Sequence, residues 1–95
     1  MKLGQLLPVL DEKELFGDEQ QEIISIVSHS GSAGANSLFV AIAGLRVDGH
    51  DFLEAVYQAG TRAFVTQKPF SKPDAATIVV PDSRHALSLL AAQFY

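Results

Sequence analysis

Cysteine is absent from all 95 residues, which excludes both a disulfide framework and a thiolate metal site. Basic residues are few: seven Lys and Arg stand against eleven Asp and Glu, for a formal charge of −4. That balance argues against nucleic acid as a partner, because phosphate-backbone binding normally shows as a basic excess. It still permits a small anionic ligand, since one loop of N–H donors with an arginine can hold a phosphate inside an acidic protein. No apolar run approaches the ~18 residues of a membrane span, and the first residues do not read as a basic-then-apolar leader. The expectation is a soluble, cytoplasmic domain with no membrane insertion.

Catalytic patterns are missing too. His29, His50 and His85 are the only histidines, and none sits in an H-E-x-x-H or similar metal-ligand spacing. There is no G-x-S-x-G nucleophile elbow. Gly31-Ser32-Ala33-Gly34 lacks the lysine and the spacing of a phosphate-cradling G-x-x-x-x-G-K-S/T loop. The chain therefore carries no visible means of binding and cleaving ATP, and no catalytic residue or metal ligand is assigned in it.

What is present is a well-marked alternation of strands and helices. Hydrophobic residues make up 47% of the chain, enough for one small core. Leu3, Leu6, Leu7 and Leu10 recur at helical spacing, and Pro8 should end or kink that helix. Asp11 to Glu22 reads as an acidic surface connection with room for a short strand at Leu15-Phe16-Gly17. Strands are predicted at Ile23–Val27, Leu38–Ile42, Ala63–Gln67 and Thr77–Val80. The last is continuous in its hydrophobicity, which predicts a central position. A helix is predicted after Asp51, with Asp51 as cap, Glu54 as its capping-box partner and Gly60 as the left-handed residue that closes it. A further helix begins around Asp82-Ser83 with Leu87, Leu90, Ala91 and Phe94 facing inward. The strand–helix–strand unit from Leu38 to Gln67 implies a right-handed crossover between parallel strands. The pattern predicts an α/β fold: one small domain, residues 1–95, with a mixed, mainly parallel sheet of about four to five strands flanked by helices. The uncapped end at Gln93-Phe94-Tyr95 reads as a fragment cut from a longer protein.

Two loops would leave the carboxyl ends of neighbouring strands: Ser28-His29-Ser30-Gly31 and Gly44-Leu45-Arg46-Val47. If the strands are parallel neighbours, both loops fall on the edge where open α/β sheets bind ligands. The hydroxyls of Ser28 and Ser30, loop N–H groups and the Arg46 guanidinium would then suit a uracil edge, a ribose or a diphosphate. The simpler alternative is that Ser28–Ser37 is a solvated connector and Arg46 a surface charge. Asp48-Gly49-His50 reads as a tight turn that sets the angle at which the next helix starts, and Asp82-Ser83-Arg84 as a helix start with Asp82 or Ser83 as cap.

The ordered set Leu38-Phe39-Val40-Ala41, Asp48-Gly49-His50-Asp51-Phe52, Ala55…Ala59-Gly60…Ala63, Val80-Pro81-Asp82-Ser83-Arg84 and Ala91-Ala92-Gln93-Phe94-Tyr95 resembles the amino-terminal domain of the muramyl-peptide ligases of peptidoglycan synthesis. The Pro-Asp-Ser-Arg helix start and closing Phe-Tyr are most similar to the member that adds the third stem residue, diaminopimelate or lysine, to UDP-MurNAc-L-Ala-D-Glu. The member that adds D-Ala-D-Ala shares the Phe-Val-Ala and Asp-Gly-His segments and is the first rival. A freestanding, non-catalytic α/β interaction module is the rival of another class. The resemblance implies a domain that grips the uridine diphosphate end of a UDP-MurNAc-dipeptide. ATP and Mg²⁺ would be held by downstream catalytic domains, and the 95-residue piece would be inactive alone. Carried over by motif, the uridine-contacting serine falls on Ser30, a backbone contact on Ser28 and the post-glycine loop on Leu45, Arg46 and Val47. The family's Asp-Ser-Arg reads His29-Ser30-Gly31 in this sequence, and its Pro-Gly-Asp reads Ala35-Asn36-Ser37.

Overall fold

The computed structural model describes all residues from Met1 to Tyr95. Five strands form one sheet: β1 (Glu14–Phe16), β2 (Ser25–Val27), β3 (Ser37–Val40), β4 (Ala63–Thr66) and β5 (Ala76–Val79). Their order across the sheet is β1-β5-β4-β3-β2. The pairs β2–β3, β3–β4 and β4–β5 are parallel, and β1 closes the edge antiparallel to β5. The expected mixed, mainly parallel sheet is therefore present with five strands.

Alternation along each strand sorts the core onto two faces. Leu38, Val40, Ala63, Val65, Ala76 and Ile78 point to one face, where they meet Leu3, Leu6, Leu7, Leu10, Ala86 and Leu90. These come from α1 (Leu3–Leu6), the 3₁₀ turn Leu7–Val9 and α3 (Ser83–Phe94). Phe39, Ala41 and Phe64 point to the other face, against Leu53 and Val56 of α2 (Leu53–Gln58). Phe70 folds back from the β4–β5 loop and meets Phe64 edge-on, ring centroids 5.1 Å apart. A six-residue helix such as α2 has little stability in isolation; packing of Leu53 and Val56 on the phenylalanines is what holds it. At the other end of the chain, Tyr95 Oη accepts a hydrogen bond from Ile26 N at 3.3 Å, joining the last residue to the edge strand.

Pro8 converts the opening helix into a 3₁₀ turn, as its missing N–H requires. Gly60 closes α2 at φ 114°, as expected of a left-handed residue. The middle strand of the five is β4; Thr77–Val80 supplies β5, an inner strand one place from the middle, with β4 on one side and β1 on the other. Two expectations need correction. The cap before α2 is Asp48 rather than Asp51. A 3₁₀ turn, Gly49–Phe52, precedes the helix, and the Asp48 carboxylate accepts from His50 N at 2.9 Å. Glu54 accordingly points outward, where it accepts from Gln58 Nε2 and pairs with Lys72. The inner face of α3 is centred on Ser83, Ala86 and Leu90, while Leu87, Ala91 and Phe94 are half-buried at its margin.

Replacing a fully buried leucine leaves a cavity, whereas a marginal one leaves a solvated gap. Leu90→Ala should therefore cost about 2–4 kcal/mol in urea unfolding and Leu87→Ala about 1 kcal/mol or less. Equal losses at the two positions would contradict the assigned face.

Candidate functional site

Parallel pairing of Ser25 with Ser37 and Val27 with Phe39 carries the loops after β2 and β3 to the same rim. A cleft of about 530 Å³ lies between them. Ser28, His29 and Ser30 line it from the β2 loop, and Gly44, Val47 and Gly49 from the β3 loop. Phe39, Ile42 and Phe52 form its apolar floor and side, and Arg84 reaches it from the first turn of α3. Three of the five sequence-predicted residues, Ser28, Ser30 and Val47, thus meet in one place. Leu45 and Arg46 do not line the cleft. Gly44 N donates to Val47 O at 3.0 Å, which folds residues 44–47 into a tight turn with Leu45 fully exposed and Arg46 exposed at its tip. Arg84 was not singled out as a ligand residue in the sequence. The signal for it was positional: the Asp82-Ser83 helix start follows the carboxyl end of a strand parallel to β3.

The N–H groups of residues 31–34 are engaged inside the loop. Gly31 N donates to His29 Nδ1 at 3.0 Å and Gly34 N to Ser37 Oγ at 3.0 Å. Ser32 N donates to His29 O at 3.0 Å and Ala33 N to Ser30 O at 3.3 Å. His29 therefore holds the 3₁₀ turn Ser30–Ser32, the position at which the resembled motif carries an aspartate. The hydroxyls of Ser28 and Ser30 remain without intramolecular partners.

The opposite wall is held by His50, whose side chain is 6% exposed. Gln67 N donates to His50 Nε2 at 2.9 Å, so in the neutral ring Nδ1 carries the proton and donates to Asp48 Oδ1 at 2.7 Å. The His50 N–H first, and then its imidazole, hold the Asp48 carboxyl below the ordinary carboxylate range. Gln67 Oε1 in turn accepts from Ser83 N at 2.9 Å and Ser83 Oγ at 3.0 Å. Gly49 must be glycine, because a Cβ there would stand 2.7 Å from Ile42 N. The expected role of Asp48-Gly49-His50, setting the start of the next helix, is what the structure shows.

The Gly31–Gly34 turn carries no lysine and its N–H groups are engaged, and no three His, Asp or Glu side chains converge to hold a metal ion. No helix is long and apolar enough to cross a membrane.

An open α/β domain with a cleft at the carboxyl rim of its parallel strands is a ligand-binding architecture. A family profile described as Mur ligase family, catalytic domain, matches residues 21–95. A UDP-N-acetylmuramoyl-L-alanyl-D-glutamate–2,6-diaminopimelate ligase of Alkaliphilus metalliredigens is 38% identical over the whole chain, which covers 19% of that protein. The UDP-N-acetylmuramoylalanyl-D-glutamyl-2,6-diaminopimelate–D-alanyl-D-alanyl ligase of Acinetobacter baumannii superimposes with a TM-score of 0.85 at 29% identity, covering 97% of this chain and 21% of its own. A MurF ligase of Thermotoga maritima in complex with ADP gives a TM-score of 0.62 at 28% identity, over 75% of this chain and 16% of its own. The chain belongs to the Mur ligase family, and it spans about a fifth of the length of these relatives.

A group with a lowered native pKa stabilises the fold above its ordinary value and loses that contribution as pH falls through the native one. The urea midpoint should therefore drop more steeply in the wild type than in Asp48→Asn between about pH 4 and about pH 2, because the amide has no proton to take up. Parallel acid limbs in the two proteins would contradict this.

Proposed function

We propose that the cleft receives the uridine diphosphate end of a UDP-MurNAc-peptide. In this reading residues 1–95 form the substrate-gripping first domain of a larger ligase. The supporting observation is electrostatic. The chain carries a formal charge of −4, and its three other surface clefts each include Asp or Glu. The cleft between the β2 and β3 loops alone has no carboxylate and does have an arginine. A nucleotide with two phosphates is repelled elsewhere and accepted there.

The favoured step is addition of the third stem residue to UDP-MurNAc-L-Ala-D-Glu, with ATP and Mg²⁺ bound in other domains of a cytoplasmic enzyme. It draws support from the 38% identity of the diaminopimelate ligase over the full chain and from the Pro81-Asp82-Ser83-Arg84 helix start. Addition of D-Ala-D-Ala is the second reading, supported by the structural likeness to the Acinetobacter baumannii ligase. In either case this domain contributes affinity and placement, remote binding energy that steadies the substrate while bonds form elsewhere. Leu45 to Val47 then act through the fold of their turn, with Val47 facing the nucleotide.

Titrating ¹⁵N-labelled chain with UDP-MurNAc-dipeptide should shift the amides of Ser28, Ser30 and Val47. Those of Gly17 and Asp74, on another cleft, should stay still. Shifts confined to other surfaces, or none, would refute the site. Ligase assays of the full-length enzyme separate the two steps: the first reading expects turnover of UDP-MurNAc-dipeptide with diaminopimelate or lysine, the second turnover of UDP-MurNAc-tripeptide with D-Ala-D-Ala.

A further inference from the structure

Of the seven basic side chains, four are engaged within the chain. Lys2 bonds Gln20, Lys13 bonds Leu10 O, Arg62 pairs with Asp74 and Lys72 with Glu54. Arg46, Lys68 and Arg84 donate to nothing, and of these only Arg84 lines the cleft.

The backbone beneath Arg84 is fixed on both sides. Asp82 Oδ1 accepts from His85 N at 3.1 Å, and the fully buried Ser83 is bound through its N–H and its hydroxyl to Gln67 Oε1. The guanidinium is therefore free at its head and anchored at its root. The opposing loop has spent the N–H groups of residues 31–34 on itself. A dianionic group entering the cleft finds no free N–H along residues 31–34, two uncommitted serine hydroxyls and one uncommitted arginine. A planar guanidinium fork suits two phosphate oxygens at once.

We propose that Arg84 is the diphosphate-binding residue of the cleft, in place of the Arg46 that the loop sequence suggests. Ser28 and Ser30 with the apolar Val47 and Phe52 take the nucleoside, and Arg84 supplies the charge recognition. This rests on the nucleotide reading of the cleft and names the residue that gives it phosphate selectivity.

Affinities for uridine and for UDP, measured by amide-shift titration of the wild-type chain, Arg84→Gln, Arg84→Lys and Arg46→Gln, test the assignment. The wild type should bind UDP at least about ten-fold more tightly than uridine, and Arg84→Gln should remove most of that ratio while leaving uridine binding unchanged. Arg84→Lys should keep part of it, because it retains charge but loses the fork; should the glutamine variant fail to fold, this ratio decides. A preserved UDP-to-uridine ratio in both Arg84 variants overturns the proposal while leaving the nucleotide site standing. So does collapse of the ratio in Arg46→Gln alone. Absence of both uridine and UDP binding in the wild type would overturn the nucleotide reading and this proposal together.

Discussion

Gln67 stands at the carboxyl end of β4 and ties together the two segments on either side of it. Its N–H donates to His50 Nε2, in the turn after β3, and its side-chain carbonyl accepts twice from Ser83, at the start of the helix after β5. Three consecutive parallel strands thus have their exit segments fastened to one another at the rim. His50 extends the chain of bonds to Asp48, whose carboxylate also accepts the His50 N–H. Most hydrogen bonds contribute only about 1 kcal/mol net, so the importance of this set lies in geometry. It fixes Gly49 and Phe52 on one side of the cleft and the root of Arg84 on another. None of these walls can shift without breaking a bond at Gln67.

The wall formed by the β2 loop is built differently. Ser37, buried at the start of β3, shares its hydroxyl with Ser25 of the edge strand at 2.9 Å and with Gly34 N at 3.0 Å. His29 closes the remainder of the loop through Gly31 N. An imidazole nitrogen and an aspartate carboxylate are both acceptors that can satisfy a turn N–H two residues on. That equivalence explains how His29-Ser30-Gly31 keeps a compact turn although it departs from the resembled Asp-Ser-Arg. The consequence is a turn whose N–H groups at residues 31–34 face inward, leaving the hydroxyls of Ser28 and Ser30 as unpartnered polar groups of the cleft.

Much of the fold was legible because burial on two faces leaves a strong sequence trace. Leu38-Phe39-Val40-Ala41 and Ala63-Phe64-Val65 read as strands because every residue faces one of two packed layers, and the structure uses them that way. Order across the sheet was less legible. β1 is three residues long, and its pairing with β5 joins segments about sixty positions apart, a contact with no local signature. The helix start at Asp51 was misplaced because a 3₁₀ turn moved the cap three residues earlier, to the Asp-Gly that the turn chemistry itself favours. Of the residues lining the cleft, Ser28, Ser30 and Val47 were singled out from local composition and motif. Arg84 was not, because its place depends on where β5 ends relative to β3, two strands away.

Arginine position also carries an electrostatic argument. Arg46 projects from a turn tip into solvent, where charges are screened beyond about 10 Å at ordinary ionic strength. A cation there attracts an anion to the neighbourhood and does little to orient it. Arg84, itself exposed, lines a concave surface together with Phe39, Phe52 and the serine loop and without carboxylates, where a charge contact is less screened than at a turn tip. In a chain of net negative charge, this is the one of the four surface clefts with no carboxylate in its lining, which is why the proposal places a diphosphate there. On the proposed reading, that gain goes into holding the substrate still, placement supplied by a domain remote from the bond being made.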